Sequence, residues 1–271
     1  MIEEQKGAYE AENLLEELGF ESLPIEPMDV ANSIHCDEFK LVMEYKEFHT
    51  DKILGKAEGN SKGALIYINN NIPDPGRSKF TAAHEIGHVC MHIVPQLKLS
   101  FECGNIELTN PYDDPIEKEA NGFASALLMP KNLIQQYSNG EVNWKEIKSL
   151  SRHCGASLEA TYRRLSFLDK SPSALVIHQN CNFKRFVASS NFEHYINKSP
   201  LSAEQRTIAA DVANEPYPED FDTVDASDWV STRTGTDSLA RIYSSTISLK
   251  DGISYTLLSY DDDCLADTEN F

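Results

Sequence analysis

Two histidines and two glutamates in this chain have the types and spacing of a hydrolytic metal centre. His84 and His88 stand four apart in F-T-A-A-H-E-I-G-H, residues 80–88. On an α-helix that interval places both imidazoles on one face, one turn apart. The geometry suits two corners of a tetrahedral zinc site. Glu85 follows His84 by roughly a quarter turn. It stands beside the metal without ligating it, where a general base acting on water must be. Phe80, Ala83 and Gly87 predict that this helix is buried, and Gly87 leaves room for a close neighbour.

Two imidazoles do not hold a catalytic zinc alone, so a third ligand must come from a distant stretch. Residues 117–130, E-K-E-A-N-G-F-A-S-A-L-L-M-P, read as a helix ended by Pro130, with Ala120, Phe123, Ala124, Leu127 and Leu128 on one stripe. Glu117 and Glu119 compete for the role. Glu117 lies nearer the centre of the apolar stripe, and a carboxylate on a buried face needs a positive partner, which zinc supplies. Asn121, four residues after Glu117, is placed to hydrogen-bond a histidine ligand from behind. Glu119 reads as a solvated helix charge. His92 extends the histidine spacing by another turn and reads as a helix-end residue rather than a ligand.

These residues carry a family resemblance. Arg77–His88 and Glu117–Pro130, with the strand-like Ala64–Asn69 upstream, resemble the ImmA/IrrE-type metallopeptidases across residues 8–168. The resemblance implies a zincin-like fold of the gluzincin type, with His84, His88 and Glu117 binding Zn²⁺ and Glu85 as the catalytic base. It also implies a biology: relief of repression through cleavage or inactivation of a helix-turn-helix repressor.

The elements that must position these groups follow from pattern. Residues 8–18 and 27–36 read as helices, and 40–48 and 64–69 as strands, with a polar turn at 55–63 between them. Ala64–Asn69 has two readings, an ordinary paired strand or an edge that holds an extended substrate. Residues 69–79 read as a loop, and 93–116 as a long irregular connection. Tyr67 and Tyr112 are candidate donors to a developing oxyanion. Residues 141–168 form a helix-turn-helix-like pair around Gly155, with Ser157 as an N-cap. Arg163 and Arg164 there could meet phosphate, but packing on the peptidase core is the expected role. Ser171-Pro172-Ser173 marks a boundary, and strands follow at 174–178, 183–188, 240–249 and 253–260, with a hairpin turn at Lys250-Asp251-Gly252.

The expected fold class is therefore α+β: a zincin-like metallopeptidase domain over 1–170, including the helical extension at 141–168, and a smaller mixed or β-rich domain over 171–271. Composition sets the setting. The net charge is −19, and residues 200–271 hold 15 acidic and four basic residues. Such a field repels nucleic acid and favours a basic protein partner. Asp261-Asp262-Asp263 reads as solvated charge. There is no bilayer-length apolar run, the N-terminus has no signal-peptide pattern, and the six cysteines are scattered without a C-x-x-C. A cytoplasmic protein with reduced thiols and no membrane contact is expected. The rival to the peptidase is a non-catalytic, antitoxin-like regulator that binds and sequesters a helix-turn-helix partner. The retained Glu85 favours the enzyme, because a structural zinc has no use for it.

Overall fold

The computed structural model describes residues 2–50, 52–104, 114–169, 171–211 and 221–266. The chain divides into two compact units. One comprises Met1–Ser138 with Ser149–Thr161, the other Asn139–Lys148 with Tyr162–Phe271.

The first unit sets a four-stranded sheet against helices. Its elements are α1 (Ile2–Glu17), α2 (Pro27–Ile34), β1 (Lys40–Lys46), β2 (Ile53–Asn60), β3 (Gly63–Asn69), α3 (Pro75–His88), β4 (Ser100–Gly104) and α4 (Pro115–Leu128). The sheet order is β1-β3-β2-β4, with β1 parallel to β3 and the other pairs antiparallel. Alternation puts Leu41 and Met43 of β1 and Ala64, Ile66 and Ile68 of β3 in the core. β3 is thus an inner strand, paired on both sides, and its backbone is not open to a substrate.

Three segments differ from their sequence reading. Residues 55–60 belong to β2 rather than to a turn. Two glycines hide the strand pattern there, and both are required by close approach. A Cβ at Gly55 would run into Glu85 Oε1, and one at Gly59 into the carbonyl oxygen of Gly63. The connection after the histidines carries β4, whose alternation buries Phe101 and Cys103. The loop before the histidines ends early. Asp74 caps α3 by accepting the Arg77 N–H at 2.8 Å, and Pro75 takes the first helical position. Beyond His88 the helix widens into a π-turn at Val89–Ile93, which holds His92.

Helices α1 and α4 cross at their glycines. A Cβ on Gly122 would strike the carbonyl oxygen of Glu4, and one on Gly7 that of Glu119. Alanine at position 122 gains about 1 kcal/mol of helix propensity, but the obstructing atoms are backbone and cannot step aside. Overpacking of this kind costs about 1–3 kcal/mol. Gly122→Ala is therefore expected to destabilise the fold, with a lower denaturant midpoint at unchanged m-value as the check.

The second unit is built on an antiparallel five-stranded sheet. Its strands β5 (Ser173–Gln179), β6 (Asn182–Ala188), β8 (Asp222–Asp225), β10 (Arg241–Ser248) and β11 (Ile253–Ser259) lie in the order β6-β5-β11-β10-β8. Short strands β7 (Tyr195–Ile196) and β9 (Val230–Ser231) pair with each other. The hairpin turn between β10 and β11 forms as expected, with Asp251 and Gly252 at φ 60° and 69°. Val176, Phe192, Trp229 and Leu258 lie in the core of this unit. Along the chain, α5 (Lys131–Ile134), α6 (Trp144–Cys154) and α7 (Leu158–Leu168) come between α4 and β5. Gly155 makes the turn between the last two at φ 63°, and Ser157 Oγ caps α7 through the Ala160 N–H at 3.1 Å. Arg164 is buried at 2% exposure, so it offers no phosphate contact. Among the described residues no helix is long and apolar enough to cross a membrane.

Candidate metal centre

Helix α3 brings its histidines to the middle of the first unit. Thr81 through His88 are all buried, and Gly87 sits against the Phe123 ring of α4, where a Cβ would lie 3.1 Å from it. That contact lets α4 approach closely enough for Glu117 to reach both imidazoles. His84 Nε2 lies 3.2 Å from Glu117 Oε2, and His88 Nε2 lies 3.5 Å from Glu117 Oε1. A tetrahedral zinc with nitrogen and oxygen ligands at 2.0–2.2 Å separates them by about 3.4 Å. The three residues picked out in sequence converge, the two nitrogen–oxygen distances near that value and the two Nε2 atoms closer, at 2.9 Å. Cys103 of β4 joins them: His84, His88, Cys103 and Glu117 place one donor atom each within 4.8 Å of one another, all buried.

The surroundings fix which nitrogens face inward. Asn121 Oδ1 accepts from His84 Nδ1 at 2.9 Å, which leaves Nε2 with a lone pair. His88 Nδ1 is 3.0 Å from His92 Nδ1, and His92 Nε2 is 3.0 Å from Glu119 Oε2. A carboxylate can only accept, so His92 donates through Nε2 and accepts the His88 Nδ1–H. His88 Nε2 then also carries a lone pair. The two Nε2 atoms face each other at 2.9 Å with no proton assigned between them. Two lone pairs at that distance, with an ionised carboxylate beside them, make a favourable place for a cation. The donor set fits a divalent metal ion on the chemistry of its own hydrogen bonds.

Glu119 is not the solvated charge that its helical position suggests. It accepts from His92 and from Lys6 Nζ at 2.8 Å, and only 13% of its side chain is exposed. Local periodicity does not reveal this, because Lys6 comes from α1, 113 residues away. His92 keeps the role of a non-ligand but becomes the relay that orients His88. Cys103 does not stand out in the sequence, where it is one of six scattered thiols. Its signal lies in the short alternation of S-F-E-C-G, where Phe101 and Cys103 share a face. Phe101 stacks on His88 at 4.0 Å between ring centroids. Tyr67 stands on the opposite face of β3 from Ile66 and Ile68, beneath Lys46 Nζ at 3.2 Å, and takes no part in the cluster. Tyr112 lies outside the described residues.

Glu85 is fully buried, and neither carboxylate oxygen makes a hydrogen bond among the described residues. Burial pushes its carboxyl well above the usual range, the nearby Cys103 thiol partly offsets this, and the Glu117 charge adds to the rise. His88 is pushed down to about 3, chiefly by burial and then by His84. Burial acts to raise Glu117, but the hydrogen bonds and charges of His84 and His88 outweigh it and hold the carboxyl well below its ordinary value. An ionised Glu117 stands beside a neutral His88, the form in which each ligates a metal.

These shifts give the metal-free fold a characteristic pH dependence. Unfolded imidazoles gain protons near 6.5, above His88 and His92, both lowered by burial. Acid therefore favours the unfolded state below that pH, by about 1.4 kcal/mol per pH unit for His88 alone. Glu85 works the other way: down to its ordinary value of 4.5, the folded state holds a proton that the unfolded state lacks. Below 4.5 that offset ends and Glu117 begins to add to the loss. The stability of the metal-free protein is expected to fall gently from pH 6.5 to 4.5 and steeply below. In Glu85→Gln the upper segment should steepen, which denaturant unfolding across pH measures.

Comparison with known proteins gives three likenesses. Residues 36–166 match the family described as the IrrE N-terminal-like domain, Peptidase_M78. Over 96 residues the chain is 33% identical to the uncharacterized immunity region protein 2 of Bacillus phage phi105. That match covers 35% of this chain and 57% of the phage protein, so the chain spans little more than half of that relative's length. The fold is similar to that of a Mycobacterium tuberculosis transcriptional regulator, with a TM-score of 0.55 and 13% identity over 98% of this chain and 92% of the other. At that identity the likeness is one of fold.

Proposed function

With residues 36–166 belonging to the IrrE N-terminal-like family of peptidase-type domains, we propose that this chain is a cytoplasmic zinc-dependent peptidase that relieves repression by cleaving a helix-turn-helix repressor. One observation carries the reading: two inward-facing imidazole lone pairs 2.9 Å apart beside the Glu117 carboxylate, with the fully buried Glu85 left without a hydrogen bond. The first half of that arrangement calls for a cation. The second calls for a water to be activated.

In this reading His84, His88 and Glu117 hold Zn²⁺. Bound there, the ion supplies a Lewis acid that makes water nucleophilic near neutral pH. Asn121 and the His92–Glu119–Lys6 chain hold the two imidazoles in the tautomers that ligation needs. Glu85 takes the proton of the attacking water and returns it to the leaving amine. Its buried, dry position holds its proton affinity above that of an ordinary carboxylate, which suits a base that must work near neutral pH. The domain over residues 1–170 performs this chemistry, and the one over 171–271 serves partner contact or sensing.

The partner reading draws on two supports. The names of the similar proteins speak of a phage immunity region and of a transcriptional regulator. The charge of −19 favours a basic protein over nucleic acid. The test uses a purified helix-turn-helix repressor, mixed with the zinc-loaded protein. Fragments that appear with zinc and vanish when a chelator removes it are the expected result. An intact partner, bound tightly enough to free its promoter, would instead establish the sequestering regulator.

A further inference from the structure

The cluster holds four donors where a hydrolytic zinc needs three. Resting on the assignment of His84, His88 and Glu117 as ligands, we propose that Cys103 is the fourth ligand. Its sulfur competes for the position that water must occupy, so the metal-loaded chain is restrained and turns over only while Cys103 is withdrawn.

Several independent features aim Cys103 at this point. Its Sγ lies 3.2 Å from His84 Nε2. A tetrahedral zinc with Zn–N and Zn–S bonds of 2.0–2.1 and 2.3 Å separates these atoms by about 3.5 Å. In the β2–β4 ladder, Cys103 is the cross-strand partner of Gly55, the residue whose missing side chain makes room for Glu85. The register shifts between Ile53 and Gly55, an irregularity of the kind that re-aims side chains beside functional sites. Phe101, two residues earlier on the same face, stacks on His88. Glu85, fully buried, faces this same rung. A thiol packed only for its apolar bulk would have no reason to sit among three ligating atoms and a general base.

Coordination breaks the S–H bond. The proton leaves to solvent, the sulfur pair binds the metal, and no electron is transferred. A thiolate in the donor set also favours zinc over magnesium or manganese. Four protein ligands make a closed site, whereas catalysis needs an open position. Release is structurally simple. β4 is a five-residue strand paired only with β2 among the described residues. Its displacement breaks one short ladder and leaves the three other ligands, all on helices, in place.

The experiment compares wild type with Cys103→Ser, a change that nearly keeps size and removes the sulfur. Both are loaded with cobalt(II) as a spectroscopic stand-in, and the wild type separately with zinc. Wild type should show a near-ultraviolet sulfur-to-cobalt charge-transfer band, and its zinc X-ray absorption should contain a sulfur shell at about 2.3 Å. Cys103→Ser should lose the band and keep a single metal ion per chain. Affinity should fall by at least the 10–100-fold typical of losing an outer-shell partner, while peptidase activity at full occupancy rises. Full metal occupancy in wild type with no sulfur shell and no band would overturn the Cys103 assignment and leave the three-ligand reading standing. A band that persists in Cys103→Ser would overturn it too, by placing the sulfur elsewhere. Wild type that binds no metal would overturn both readings at once.

Discussion

Glu85→Gln is expected to lower peptidase activity by at least about 10²–10⁴-fold, the usual contribution of one essential proton transfer, and to leave metal content unchanged. A glutamine side chain matches the size and polarity of Glu85 and cannot accept the proton of water. Gly55 leaves space for either side chain, so the fold should tolerate the change. In cells the variant should bind the repressor, leave it full-length and fail to free its promoter. A blot for the partner and a promoter reporter, with wild type and variant side by side, separate the two readings. Full derepression by a metal-loaded Glu85→Gln protein would sink the peptidase. Loss of metal from the variant would instead make Glu85 a ligand.

Glu117→Ala should lose the metal altogether under conditions in which wild type keeps it through gel filtration. Glu117 is the residue that meets both inward-facing imidazoles, at 3.2 and 3.5 Å. Without it the site keeps two neutral imidazoles and the Cys103 thiol of an edge strand, a poorer cage. Glu119→Ala should keep the metal but bind it about 10–100-fold more weakly. Glu119 acts one step back, as acceptor for His92, which in turn receives the His88 Nδ1–H. Its loss frees His92 to change tautomer and His88 to rotate, while removing no ligand. Metal titration against a competing chelator ranks the three proteins. The opposite order, with Glu119→Ala empty and Glu117→Ala loaded, would reverse the assignment.

Much of this centre is legible in the chain because the relevant geometry is local. A four-residue interval on a helix fixes the relation of His84 to His88. The same periodicity sets Glu117 and Asn121 on one face of α4, and Asn121 indeed meets His84 from behind. Burial of Glu117 follows from its place on an apolar stripe. The hairpin at Lys250–Gly252 follows from the positive φ that such a turn demands. In each case the physics acts over a few residues.

Other features arise only from distant segments meeting. β2 looks like a turn in the sequence because Gly55 and Gly59 break its pattern, and the reason for those glycines lies in contacts with Glu85 and Gly63. β3 is an inner strand because β1 and β2 flank it, which no property of Ala64–Asn69 dictates. Glu119 acquires its role from Lys6 on α1 and His92 on the π-turn. Cys103 enters the cluster through a strand register that opposes it to Gly55. By itself, then, the sequence determined the placing of the donors on α3 and the face of α4 that meets them, since helix periodicity is a short-range property. Tertiary structure decided which donor atoms come together and which residues hold them in register. Those contacts depend on where a missing Cβ lets one backbone approach another, and that depends on the whole packed unit.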